Sequence, residues 1–189
     1  SADAAATLRA LSVLWGMDIP FARMSEIGLA IGADVPVCLH ARPAIMSGVG
    51  ETLDVVAAPP PCGVVLVNAG EAVSTPAVFT ARTAPFSGTD NWRTPPTFAA
   101  FIDALQNRKN DLAEPARSVS PVIGDVLAVL VETDQCALAR LSGSGGTCFG
   151  LYPDLAAAET AAAKIRTAHP DWWSVATEFR EDAPSVVSC

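Results

Sequence analysis

Lysine is almost missing from this 189-residue chain; Lys109 and Lys164 are the only two, and both lie in the second half. Twelve lysines and arginines stand against twenty aspartates and glutamates, for a net charge of −8. A protein that binds nucleic acid neutralises phosphates with a basic face, so that class of partner is excluded. No CxxC pair occurs among the five cysteines at 38, 62, 136, 148 and 189. Their odd number and spacing suit free thiols in a reducing cytoplasm rather than a disulfide framework or a zinc site. His40 and His169 are far apart and have no metal-ligand spacing, so no metal-ligating residue is expected. No apolar run approaches the roughly 20 residues that cross a bilayer, and no membrane partner is expected. The opening Ser1-Ala2-Asp3-Ala4-Ala5 lacks the basic start and long apolar stretch of a secretory leader.

Half of the residues are hydrophobic and the mean hydropathy is +0.34, which is enough apolar material for a sizeable core. Low hydrophobicity with high net charge, the signature of disorder, is absent. Residues 2–15 have helical pattern, with Leu8, Leu11 and Trp15 on one face and Gly16 as a stop. A second helix is expected over 21–31, after Pro20 and before Gly32. Ala33-Asp34-Val35-Pro36 then turns into the apolar segment Val37-Cys38-Leu39, expected as a strand. Further strands are expected at 44–46 and 53–56, around Gly48-Val49-Gly50. Pro59-Pro60-Pro61 is the best linker candidate. Beyond it the pattern predicts a strand at 63–67, a short helix at 75–82, a loop over 83–96, and helices near 97–106, 110–117 and 121–132. Strands at 136–141 and 147–152, a helix at 155–168 and a strand at 172–179 complete the series. This order predicts an α+β fold with helices on one face of a mostly antiparallel sheet.

Three features carry chemistry. Ser142-Gly143-Ser144-Gly145-Gly146-Thr147 places three glycines and two serines between two apolar strands. Such a loop lets backbone N–H groups converge on an anion, and it serves equally as a hairpin with no ligand. It fits neither the P-loop nor the dinucleotide fingerprint. Asp34 follows a helix end, where the dipole disfavours a carboxylate; a functional carboxylate and an ordinary turn aspartate are both consistent with it. Ser1-Ala2-Asp3 opens a helix, which suits either plain capping or phosphate binding. Cys148 adjoins the glycine loop with no histidine nearby and is expected as a small core residue.

The order of these pieces resembles the GHMP small-molecule kinases. Ser-Ala-Asp-Ala-Ala-Ala-Thr-Leu comes first, then Gly-Ala-Asp-Val-Pro, Ser-Gly-Val-Gly-Glu, Ser-Thr-Pro-Ala-Val-Phe and Leu-Ser-Gly-Ser-Gly-Gly-Thr. The likeness runs from Ser1 to about Tyr152 and more loosely to Phe179. It implies that residues 1–58 are the C-terminal part of an ATP-binding N-terminal domain. It implies that 59–189 form the family's C-terminal domain, an α/β sandwich with a mostly antiparallel sheet. Asp34 matches the catalytic aspartate. Ser1 and Ala2, with Asp3 beside them, match the end of the ATP phosphate loop. Ser142, Gly143, Ser144, Gly145, Gly146 and Thr147 match the family's third motif, also on the ATP side. Thr75, Pro76 and Phe79 fall where the substrate's cytidine end would pack, with Phe79 as the stacking ring.

The resemblance further implies ATP as co-substrate with Mg²⁺. The acceptor it implies is a hydroxyl of a cytidine diphosphate-linked methylerythritol, in non-mevalonate isoprenoid biosynthesis. A homoserine or mevalonate type of the same superfamily and a non-catalytic binding module are the alternatives. The family's catalytic lysine and the glycine-rich start of its phosphate loop precede the matching stretch. Lys109 and Lys164 match neither. The 189-residue stretch alone is therefore expected to be nearly inactive, and the intact protein to be the kinase.

Overall fold

The computed structural model describes residues 1–88 and 91–179; positions 89–90 of the expected loop and 180–189 of the expected second domain lie outside the described residues. The described chain divides into two units, Ser1–Ala58 and Pro59–Phe179.

The first unit opens with α1 (Ala2–Leu14) and α2 (Phe21–Ile31), close to the bounds that periodicity, Pro20 and Gly32 predict. The segment expected as a strand is instead a short helix, α3 (Val35–His40). Pro36 is compatible with this because it sits in the first turn, where its missing N–H has no intrahelical partner to lose. Gly28 lets α2 lie against α3: an added Cβ would stand 2.9 Å from Val35 Cγ1. Ala5, Val35 and Leu39 form the buried core, and the Arg9 guanidinium donates to the Leu39 carbonyl at the end of α3. β1 (Ala44–Ser47) and β2 (Thr52–Val55) pair antiparallel as a hairpin. His40, expected at the surface or at a strand end, closes α3 with its Nε2 buried and its ring edge-on to Phe21.

The second unit is built on one sheet with the order β4-β5-β3-β6, in which every neighbouring pair is antiparallel. These strands are β3 (Gly63–Asn68), β4 (Leu138–Leu141), β5 (Thr147–Tyr152) and β6 (Trp173–Glu178). Its helices are α4 (Thr75–Ala81), α5 (Phe98–Gln106), α6 (Ala113–Val119), α7 (Val122–Glu132) and α8 (Leu155–Ala168). Side chains alternate across β3 with period two. Val65 and Val67 face a core made with Val78 of α4, Ala116 of α6, Leu130 of α7 and the alanine face of α8. Val64 and Leu66 point the other way, toward Phe101 and Ile102 of α5. Helices therefore cover both faces of the sheet, not one. The apolar run Gly-Val-Val-Leu-Val is the pattern of a strand buried on both sides, and it carried that information.

The two units differ sharply in how much they bury. Unit one has four buried apolar side chains, Ala5, Val35, Pro36 and Leu39, and leaves Leu14, Trp15 and Val49 at 75%, 62% and 72% exposure. Its sheet has two strands, and such a hairpin is marginal alone. Amide exchange on this chain is expected to be about 100-fold faster in α1–α3 than in β3, β5 and α8. Equal protection across both units would contradict the assignment of stability to the second core.

Candidate active site

Asp34 is the N-cap of α3, with φ −88° and ψ −2°. The sequence reading placed it at a helix end followed by a strand; the structure reverses the sign of that argument, because a helix start favours a carboxylate. Its side chain is exposed, does not cap its own helix, and has no partner among the described residues. The turn between β1 and β2 determines where it stands. Gly50, at φ +101°, is buried directly against the Ala33 carbonyl, and an added Cβ there would overlap that oxygen. The Glu51 carboxylate holds the turn by accepting the Val49 N–H at 2.6 Å. Thus Gly-Ala-Asp-Val-Pro and Gly-Val-Gly-Glu, separate in sequence, pack as one piece around Asp34. Ser1 caps α1 without a side-chain bond, and Ser1, Ala2 and Asp3 are exposed in its first turn.

In the second unit, residues 142–147 form the tip of the β4–β5 hairpin. Gly143, Gly145 and Gly146 take φ values of 58°, 134° and 85°, which side-chain-bearing residues avoid. The loop is pinned by three contacts from outside it. Asn68 Nδ2 donates to Thr147 Oγ1 at 3.1 Å. The Thr75 and Ser144 hydroxyls are 2.7 Å apart. Asn110 Nδ2 donates to the carbonyls of Leu141 (3.1 Å) and Gly143 (2.7 Å). Inside the loop, Ser142 N–H bonds the Thr147 carbonyl and Gly145 N–H the Ser142 carbonyl. The N–H groups of Gly143, Ser144 and Gly146 have no partner among the described residues.

Thr75, Pro76 and Phe79 all lie on α4. Ser74 caps this helix and Pro76 sits in its first turn. Thr75 and Phe79 are four residues apart and share a face, and the Phe79 ring is about half exposed. The structure thus joins Thr75 to Ser144 within unit two. Asp34 and Ser1–Asp3 are described in unit one by themselves. Sequence reasoning missed Asn68 and Asn110. An asparagine whose carbonyl caps the N–H two residues on is a turn signal, and both do this, Asn68 to Gly70 and Asn110 to Leu112.

Cys148 is buried behind the loop, and burial pushes its thiol up to about 11. Burial likewise raises the Cys136 and Cys62 thiols and the Tyr152 phenol. Cys148 is thus a neutral core residue at pH 7. These four groups ionise more readily in the unfolded chain, near about 8.5 for thiols and about 10 for the phenol. Their contribution to stability is complete below about pH 8.5 and is lost as pH climbs toward 11. The urea midpoint is expected to fall over that window, less steeply in Cys148→Ala. A midpoint independent of pH up to 11 would contradict it.

Among the described residues no group of three or more histidines, cysteines, aspartates and glutamates is gathered to hold a metal. No described helix is long and apolar enough to cross a membrane. Residues 95–171 match the family described as GHMP kinases C terminal. Over 92% of its length it is 50% identical to the 4-diphosphocytidyl-2-C-methyl-D-erythritol kinase of Paramagnetospirillum magneticum, covering 61% of that protein. A crystal structure of 4-(cytidine 5'-diphospho)-2C-methyl-D-erythritol kinase superposes with a TM-score of 0.69 at 31% identity, over 92% of this chain and 63% of that one. A homoserine kinase from Cytophaga hutchinsonii shares the fold, with a TM-score of 0.61 at 17% identity over 94% and 63% of the two chains. The GHMP-kinase-like α+β architecture is therefore shown. The chain spans about three-fifths of the length of the relatives it matches.

Proposed function

We propose that this chain is part of an ATP-dependent kinase of the cytoplasm that phosphorylates a hydroxyl of 4-diphosphocytidyl-2-C-methyl-D-erythritol in non-mevalonate isoprenoid biosynthesis. The observation that carries the reading is the 2.7 Å contact between the Thr75 and Ser144 hydroxyls. It joins the segment assigned to the cytidine end to the loop assigned to the phosphates. The 50% identity to a kinase of that name supports the choice of acceptor.

In the proposed reaction Asp34 accepts the proton of the acceptor hydroxyl as its oxygen attacks the γ-phosphorus. An alcohol is a poor nucleophile at neutral pH, and such a base contributes about 10²–10⁴-fold. The bond from the γ-phosphorus to the bridging oxygen breaks, and ADP leaves. Gly143, Ser144 and Gly146 offer backbone N–H donors to phosphate oxygens, a form of stabilisation that needs no reorganisation. Ser1–Asp3 lie at a helix start, where N–H groups suit an anion. Mg²⁺, when bound with ATP, neutralises phosphate charge. No lysine lies in unit one, and Lys109 and Lys164 match no catalytic position, so the stretch alone is expected to turn over poorly.

The test offers the natural protein γ-labelled ATP with the cytidylyl substrate, homoserine and mevalonate in competition. Label is expected on the cytidylyl substrate. Label on another alcohol would replace the acceptor. Nucleotide binding without transfer would make this a binding module.

A further inference from the structure

The turn between α5 and α6 carries Asn110, and every polar atom of its side chain is used. Oδ1 accepts the Leu112 N–H at 2.9 Å, while Nδ2 reaches the Leu141 and Gly143 carbonyls across more than thirty residues of sequence. This fixes which end of the amide is which, because the flipped amide would set its oxygen against two carbonyl oxygens. The turn itself is anchored by the next residue: Asp111 accepts both the Ser87 N–H (2.6 Å) and the Ser87 hydroxyl (2.7 Å).

In a planar trans peptide the carbonyl and the following N–H point in opposite directions. Holding the Gly143 carbonyl toward Asn110 therefore aims the Ser144 N–H away from it. Holding the Leu141 carbonyl does the same for the Ser142 N–H, which meets the Thr147 carbonyl. Gly143 takes positive φ at no steric cost, so its peptide planes are free to turn unless something outside the loop holds them.

We propose that Asn110 is a positioning residue for the glycine loop: its side-chain amide locks the 143–144 peptide so that the open N–H donors are presented to a phosphate. The phosphate's identity as that of ATP rests on the function proposed above. Asn110→Ala removes the lock. Asn110→Asp keeps the Leu112 acceptor but sets a carboxylate against two carbonyls, and protonation restores one donor.

Both variants are to be made in the natural protein. Each is expected to raise KM for ATP and lower kcat about tenfold at pH 8. Asn110→Asp is expected to recover relative to wild type as pH falls to 5.5, and Asn110→Ala is not. Nitrogen–proton spectra give a readout independent of activity. The Ser144 and Gly146 amides are expected to shift in both variants, with Val65 in the core unmoved. Should Asn110→Ala not fold, Asn110→Asp at pH 5.5 and 8 carries the comparison. Shifted loop amides in the variants, together with a wild-type protein that phosphorylates none of the alcohols, would retain the lock and discard the kinase. Ser144 and Gly146 amides at wild-type positions in the variants would overturn the lock, whatever the activity.

Discussion

Asp34→Asn, introduced into the natural protein, is expected to lower kcat about 10²–10⁴-fold with little change in KM. That range corresponds to about 3–5.5 kcal/mol of lost transition-state stabilisation. The substitution is well suited to isolate the base. Asn and Asp have nearly the same shape and serve equally at an N-cap, so α3 should start at the same place. The carboxylate makes no capping bond and has no described partner, so no folded-state contact is lost with it. Steady-state kinetics with a thermal melt beside them check both halves. Near wild-type turnover would end the assignment of Asp34 as the base. A raised KM at unchanged kcat would make it a binding group instead.

Gly50→Ala is expected to cost the first unit about 2–5 kcal/mol, combining a strained positive φ with overpacking. At φ +101° a side chain is disfavoured whatever the space, and here the space is taken by the Ala33 carbonyl. Backbone cannot swing aside as the end of a flexible side chain does. The peptide that must move leads into Asp34, so activity should fall together with protection of α3. Unit one, with Ala5, Val35 and Leu39 as its buried core, has little stability in reserve. Amide exchange over residues 35–40 reads the effect. Gly88→Ala is the control, since nothing among the described residues lies within 4 Å of a Cβ there and its effect should be near zero. Similar exchange in both variants would show that the contact between the two turns does not hold Asp34.

Where a segment's fate depended on its own residues, it was legible. Gly32 and Pro20 bound α2, the helical pattern over 155–168 gave α8, and the glycines at 143, 145 and 146 marked a loop between strands. The short apolar run Val37–Leu39 was not legible, because three apolar residues fit a strand or a helix and only packing against Ala5 and Gly28 chose the helix. The apolar run of β3 signalled burial on both sides, but which helix supplies the second cover was hidden: α5 carries an ordinary apolar face, and nothing local says which side of β3 it seeks.

Apart from α3, the sequence by itself determined the kinds of element, their stops and the order of the glycine and aspartate motifs. These follow from backbone sterics and periodicities that act within a few residues. Only the tertiary structure decided that Gly50 backs Asp34, that Thr75 meets Ser144, and that Asn110 holds the glycine loop. Those contacts join residues 17 to 69 positions apart, and a contact at that range is set by how whole elements pack, not by the residues beside it.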